Sequence, residues 1–409
     1  MQEPGAIQHY LESQMPAALQ MLREMVAINS FTENRQGVNQ LARLTATSFA
    51  PLGFRPQFVP ATNPRYGDHL VLTRPGRSAR NIAMVSHLDT VFPPEEEAAN
   101  GFRWMHEGDR IYGPGTNDIK GGTVMMWLVL SALRNKAPQV FDELTWNLLW
   151  DAAEETFAPD FGGLCCRNLN DKTLAALVFE AEGRSAANRM LVAARKGRAT
   201  WRITVRGRGA HAGGKHEHGA NAITQLALTL QQLAALTNYA RDLTFNAGTV
   251  LGGTVLNRVP HEAVAEGEFR AFSAETYEQA KTQVLALAGS GAIASPADGY
   301  PCAVSVEITS ETRPWPRNAA TDRLIDLWQR TGRQLKLPVG LEERGGLSDG
   351  NLLWDVVPTL DGLGPWGDND HCSERTPDGS KLPEFVEVSS FVPKALLNTM
   401  AISALADLF

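Results

Sequence analysis

The sequence predicts an α/β domain interrupted by an α+β unit, and three observations lead there. Apolar runs at Ile82 to Val85, Leu144 to Trp150 and Ala175 to Phe179 read as strands buried on both faces, separated by segments of helical periodicity. Between 196 and 311 the pattern changes to half-exposed strands and two amphipathic helices in a β-α-β-β-α-β order, a ferredoxin-like arrangement. Past Thr312 the α/β character returns, which makes the second unit an insertion. The predicted domains are therefore 1–195 with 312–409, and 196–311.

The elements follow in order. Ile7, Leu11, Met15, Ala18, Leu19, Leu22, Met25 and Val26 recur at helical spacing and predict a helix over 7–28, ended by Asn29-Ser30. A second helix over 36–50 stops at Pro51-Leu52-Gly53, and a short strand runs from Phe54 to Val59. Leu70 to Thr73 and Asn81 to Ser86 read as a strand pair around Arg74-Pro75-Gly76. The Gly/Pro-dense stretch Tyr112 to Gly122 bends the chain sharply around Asp118 and leads into a helix over Thr123 to Leu133. In the insertion, Trp201 to Arg206 alternates apolar and polar residues. A helix over 220–236, strands Thr244 to Leu251 and Ala263 to Phe272, a helix over 275–289 and a strand Ala303 to Ile308 complete it. Helices over 320–335 and about 390–408 flank the loop Gly345 to Gly350 and the triplet Asp370-His371-Cys372.

Composition narrows the class. With 43% hydrophobic and 20% charged residues over 409 positions, the chain can bury a substantial core. A net charge of −7 without a basic run argues against nucleic acid as a partner. No stretch reads as a membrane span, and Met1 to Gln20 lacks the features of a secretory signal, so a cytoplasmic protein without a membrane partner is expected. Cys165, Cys166, Cys302 and Cys372 form no C-x-x-C pair and are expected to be reduced, buried thiols.

The three buried strands each deliver ionisable groups at their carboxyl ends, where open α/β sheets bind ligands. The first ends at His87-Leu88-Asp89, the second at Glu154-Glu155, the third at Glu180. Together with Asp118 and His371 they supply the nitrogen and oxygen donors that zinc and its relatives take. The candidate ligands are His87, Asp118, Glu155, Glu180 and His371, with Glu182 as the rival of Glu180. Asp89 can accept the second ring N–H of His87 and fix its tautomer. Glu154, beside a ligand, can act as general base on water. Taken singly, each has a bland explanation: a capping Asp, a core histidine, a solvated glutamate pair.

His87-Leu88-Asp89-Thr90-Val91-Phe92, Gly113 to Gly122 around Asp118, Glu154-Glu155, Phe179-Glu180 and Asp370-His371 together resemble the dinuclear zinc carboxypeptidases and deacylases. That family includes glutamate carboxypeptidase, peptidase T, acetylornithine deacetylase and succinyl-diaminopimelate desuccinylase, and glutamate carboxypeptidase is the nearest match. The resemblance implies a zinc-exopeptidase-like mixed-sheet α/β/α catalytic domain with an inserted lid and dimerisation domain. It implies two zinc ions, with cobalt or manganese possible in their place, bridged by Asp118. One would add His87 and Glu180, the other Glu155 and His371, with Glu154 as base and then acid to the leaving amine. Gly209-Ala210-His211-Ala212-Gly213 resembles the lid motif whose histidine reaches the partner's site in a homodimer. Asn257, Arg270 and Arg313 resemble substrate-carboxylate positions, with Gly346 offering a backbone N–H beside them; for each arginine a structural salt bridge is the alternative.

The chain departs from the pattern at Ala153, which stands where an acid often precedes the glutamate pair, and at Ile119, where a second Asp is frequent. Neither is a predicted ligand. His216 and His218 look metal-like but fit a lid loop better. The expected activity is hydrolysis of an amide bond in a small, dipeptide-like substrate bearing a carboxylate, by release of a C-terminal amino acid such as glutamate. An N-acyl-amino-acid deacylase, an aromatic amide hydrolase, and a metal-free binding protein on the same fold are the alternatives.

Overall fold

The computed structural model describes residues 3–156, 160–185 and 188–407. The chain divides into two units: Met1–Ala193 with Arg317–Glu343 and Ser348–Phe409, and Ala194–Pro316 with Arg344–Leu347.

In the first unit a six-stranded sheet runs in the order Arg55–Pro60, Asp68–Arg74, Thr145–Asp151, Asn81–His87, Thr173–Val178, Thr359–Leu360. The last four strands are parallel to one another and the first two join antiparallel, so the sheet is mixed. The expected pairing of Leu70–Thr73 with Asn81–Ser86 does not occur. Thr145–Asp151, apolar on both faces, lies between those strands and pairs with each. Gly76, placed in sequence as a hairpin turn, instead packs on the backbone of Leu144, where a Cβ would come within 2.3 Å.

Alternation along these strands feeds two cores. Leu70, Leu72, Ile82, Met84, Leu148 and Trp150 meet the helices Pro4–Val26, Lys120–Lys136, Ala319–Leu335 and Phe391–Asp407. Val71, Ala83, Val85, Leu149, Ala176 and Val178 meet Phe161, Leu164 and Cys165 of helix Asp160–Asn168 on the other face. Helix Lys120–Lys136 is buried almost all round, which is why its sequence shows little amphipathic pattern. Residue 408, predicted as helical, lies outside the described residues. One expectation needs correcting: Val388–Asp407 is long and apolar enough to pass for a membrane span, with a mean hydropathy of 1.2. Its burial against the other helices accounts for that composition.

The second unit is a five-stranded antiparallel sheet in the order Thr244–Gly252, Glu262–Ala271, Gly197–Arg206, Pro301–Thr312, Gly289–Ala294. Helices Ala222–Ala234 and Ala274–Leu285 pack on it over Trp201 and Phe269, the second helix through Tyr277. Four strands follow the ferredoxin-like order, and Gly289–Ala294 adds a short edge that the sequence reading missed. The opposite edge strand, Thr244–Gly252, exposes Val250 and Leu251, and Val255 and Leu256 are exposed just beyond it.

Cys165 and Cys302 are buried free thiols, whereas Cys166 is exposed and Cys372 half-buried, so burial was expected correctly for only two.

Candidate metal centre

The parallel register sets His87 beside Asp151, so the loops that follow these strands open at the same end of the sheet. His87, itself buried, turns its Nδ1 to the Asp89 carbonyl oxygen at 3.1 Å and to Asp89 Oδ1 at 3.3 Å. Its Nε2 lies 3.0 Å from Asp118 Oδ1 and 3.8 Å from Glu180 Oε1. On the other side of Asp118, Oδ2 is 3.3 Å from His371 Nε2, which is in turn 3.3 Å from Glu155 Oε2. Two groups result, His87–Asp118–Glu180 and Asp118–Glu155–His371, each with its donor atoms within 4.8 Å of one another. Asp118 belongs to both.

Each donor is held by local structure. Asp89 does more than orient His87. Its carboxylate accepts the N–H of Glu154 at 3.1 Å, the N–H of Glu155 at 3.2 Å and the Thr32 hydroxyl at 2.6 Å. The glutamate pair therefore sits on a short helical turn pinned from below. The Asp118 turn is clasped by Glu384, whose carboxylate accepts the N–H groups of Gly115, Asn117 and Asp118 at 3.3, 2.8 and 3.0 Å. Buried Lys120 donates to the Pro114 and Ile28 carbonyls, and burial pushes its pKa down to about 8. The Asp118–Ile119 peptide is cis. At Gly122 a Cβ would lie 2.0 Å from the Phe179 carbonyl oxygen, so only glycine lets this helix start reach the backbone beside Glu180. His371 takes a left-handed backbone with φ 64° in an exposed loop that Asn117 holds through Asp370.

The electrostatics call for cations. Asp89 and Glu154 are buried and Asp118, Glu155 and Glu180 half-buried; these five carboxylates face only two imidazoles, buried His87 and exposed His371, and unbalanced buried carboxylates are costly. Burial and the neighbouring carboxylates push Glu154 well above the usual range and Glu155 up to about 7. Burial also opposes ionisation of Asp118, but hydrogen bonds from His371 and His87 override it and hold its carboxyl well below its ordinary value. Hydrogen bonds to Asp118 and Glu155 raise His371 to about 11. Burial disfavours the charged form of His87, yet Asp118 and Asp89 raise its proton affinity well above normal. Imidazole and carboxylate donors, three to a group with one shared, fit a pair of divalent cations.

Glu182 stands apart from both groups. It forms a buried pair with Lys394 at 2.8 Å and meets Arg189, so the geometry gathers Glu180 and not its rival. Glu384, Thr32 and the Asn117–Asp370 contact were missed by sequence reasoning; Glu384 directly precedes a three-residue strand and carries no motif.

The remaining candidates belong to the second unit. His211 Nδ1 accepts the N–H groups of Gly213 and Gly214 at 3.1 and 2.9 Å, which leaves the proton on Nε2. The Asn257 carbonyl accepts the Ala212 N–H, so Asn257 and His211 are neighbours. Arg270 is engaged by Glu268 through Nε at 2.7 Å and by the Gly345 carbonyl through Nη1 at 3.0 Å. Arg195 donates to the carbonyls of Gly346 and Leu347. Arg313 follows the last residue of strand Pro301–Thr312. His216 and His218 lie exposed on a short turn.

Residues 193–294 match the model of the peptidase dimerisation domain. The chain is 26% identical over 399 residues to carboxypeptidase G2 of a Pseudomonas species, covering 97% of this chain and 90% of that protein. It is 25% identical over 389 residues to succinyl-diaminopimelate desuccinylase of Bordetella parapertussis, covering 92% and 95%. The aminopeptidase PepT structure from Bacillus cereus superposes with a TM-score of 0.72 at 21% identity, over 96% of this chain and 99% of that one, which shows a common fold. Motifs, fold and relatives agree: over nearly its whole length the chain is similar to metal-dependent peptidases and amidohydrolases, and residues 193–294 carry a peptidase dimerisation domain.

Proposed function

We propose that this protein hydrolyses the amide bond of a small N-acyl or N-aroyl amino acid, releasing a C-terminal amino acid such as glutamate. The observation that carries this reading is the pair of donor groups sharing Asp118, with Glu154 beside them and in neither. Two zinc ions, with cobalt or manganese as substitutes, would be held by His87, Asp118 and Glu180 and by Asp118, Glu155 and His371, and would supply Lewis acidity to water and to the amide carbonyl. Glu154 takes the proton of the attacking water and delivers it to the amide nitrogen as the C–N bond breaks, leaving an acid and an amine. Asp89 keeps the Glu154 turn and the His87 ring in place. His211 presents its Nε2–H to the carbonyl oxygen as charge develops there, from the partner in a homodimer formed through the second unit. The exposed apolar edge at Thr244–Gly252 supports that assembly. Asn257, Arg313 and the Gly346 N–H receive the substrate carboxylate, with Arg270 alongside. The four unpaired cysteines support a reducing, cytoplasmic setting.

Removal of an acyl group is the second reading, favoured by the near-equal similarity to a desuccinylase. A panel of N-acyl and N-aroyl amino acids assayed with Zn²⁺ or Co²⁺ tests both. Replacing Arg313 by Ala is expected to raise KM for carboxylate-bearing substrates about tenfold to a hundredfold, the usual worth of a charged hydrogen bond. An unchanged KM would point to a neutral-amide hydrolase. Elemental analysis of the purified protein is expected to find zinc, cobalt or manganese, and their absence would favour a metal-free binding protein on this fold.

A further inference from the structure

The geometry points to His69 as a positioning residue for the Glu154–Glu155 turn, acting through Asp151 before the turn and Asp160 after it. His69 lies on strand Asp68–Arg74, outside every motif, and is 1% exposed. Its Nδ1 is 3.2 Å from Asp151 Oδ1 and its Nε2 is 3.3 Å from Asp160 Oδ2. Asp151 ends the strand that runs into Glu154, and Asp160 opens the helix that takes up the chain beyond the turn. One ring thus spans both ends of the segment that carries the two glutamates.

The hold extends along the backbone. The Ala152 N–H points at His69 Nδ1 from 3.2 Å, and the Ala153 N–H donates to Asp151 Oδ1 at 2.8 Å. Every residue from Asp151 to Ala153, directly ahead of Glu154, is therefore tied to the ring or to its carboxylate partner. A buried histidine between two carboxylates is a costly way to fill a strand position that an apolar residue would pack as well.

The ring has two hydrogen-bonded states. Neutral, it donates from Nε2 to Asp160 and accepts the Ala152 N–H at Nδ1. Protonated, it donates to both carboxylates and the Ala152 amide loses its acceptor. Asp151, Asp160 and the face of the Phe161 ring surround it, while Asp89, Asp349 and the Cys165 thiol stand behind Asp151. Burial opposes the ring's charge, but the two carboxylates outweigh it and raise its proton affinity above the ordinary value of 6.5. The stability it contributes as a cation is complete below 6.5 and is lost as pH rises through the raised value.

This role rests on the reading of Glu154 and Glu155 as working acids of the site, so the test includes readouts that need no turnover. His69→Ala and His69→Asn are compared with the parent for zinc affinity by chelator competition, for kcat and KM on whichever panel amide is cleaved, and for melting temperature against pH. The Ala variant is expected to bind zinc and turn over about tenfold to a hundredfold less well, with KM within twofold. Asn can still accept the Ala152 N–H and donate to one carboxylate, so it is expected to recover to within about threefold of the parent. The parent's melting advantage over His69→Asn should shrink as pH climbs from 6.5. If no amide is cleaved, the hydrolase reading fails, while zinc affinity and melting still decide the role of His69. Zinc affinity within twofold of the parent in His69→Ala would overturn the proposal, as would a His69→Asn variant as impaired as His69→Ala. Should His69→Ala fail to fold, a melting profile of His69→Asn parallel to the parent at every pH would overturn it.

Discussion

The Glu154→Gln variant is expected to lose about 10² to 10⁴ of its kcat, the span that general acid–base catalysis supplies, while its zinc content stays that of the parent. Glutamine keeps the shape of the side chain and removes only its capacity to carry a proton. Glu154 belongs to neither donor group, so ligation has no reason to change. The turn is fixed by its backbone N–H bonds to Asp89, which the substitution leaves alone. Removing one charge from a crowd of buried carboxylates also relieves repulsion, so melting temperature should hold or rise. Steady-state kinetics, metal analysis and a melting curve on the same sample check all three. A kcat within a few-fold of the parent would strip Glu154 of its assigned role.

A second large effect is expected far from any motif. Glu384→Ala deletes the acceptor of three backbone N–H groups in the Asp118 turn. Orphaned buried donors cost about 1–3 kcal/mol each, and neighbours are not additive, so a loss of about 3–5 kcal/mol is expected. Chemical denaturation measures it directly. Because Asp118 is common to both donor groups, weaker zinc binding should accompany the lost stability. Glu384→Gln, which retains an acceptor oxygen at the same place, is expected to fall between. Equal stability of all three proteins would mean that the turn holds its shape unaided.

What the sequence made legible followed from local periodicity and local motifs. Three strands buried on both faces were readable because their apolar runs end abruptly in His87, Glu154 and Glu180. The ferredoxin-like order of the insertion was readable because Trp201–Arg206 alternates while its helices keep a wide apolar stripe. Sheet order was not readable. Nothing in Leu70–Thr73 or Asn81–Ser86 indicates that Thr145–Asp151, far along the chain, intervenes between them. The strands at Met105–Glu107, Arg110–Tyr112, Gly367–Asp368 and Phe385–Glu387 were invisible for another reason: two or three residues cannot display a period. The supports of the site were hidden in the same way. Glu384 and His69 act through contacts between distant segments, and a lone glutamate beside a strand or a lone histidine within one looks like any other. Glu180 and Glu182 could be separated only once Lys394 was seen to claim the second.

The missing side chain at Gly122 limits where variety can arise in a protein of this design. Main chain rests on main chain there, so the junction has no side chain to trim, and any added carbon would collide with the Phe179 carbonyl. The gap between Asp118 and Glu180 behaves like the jaw of a calliper with its screw removed. New chemistry on such a frame has to come from what is brought to the opening, because the width of the opening itself is not adjustable.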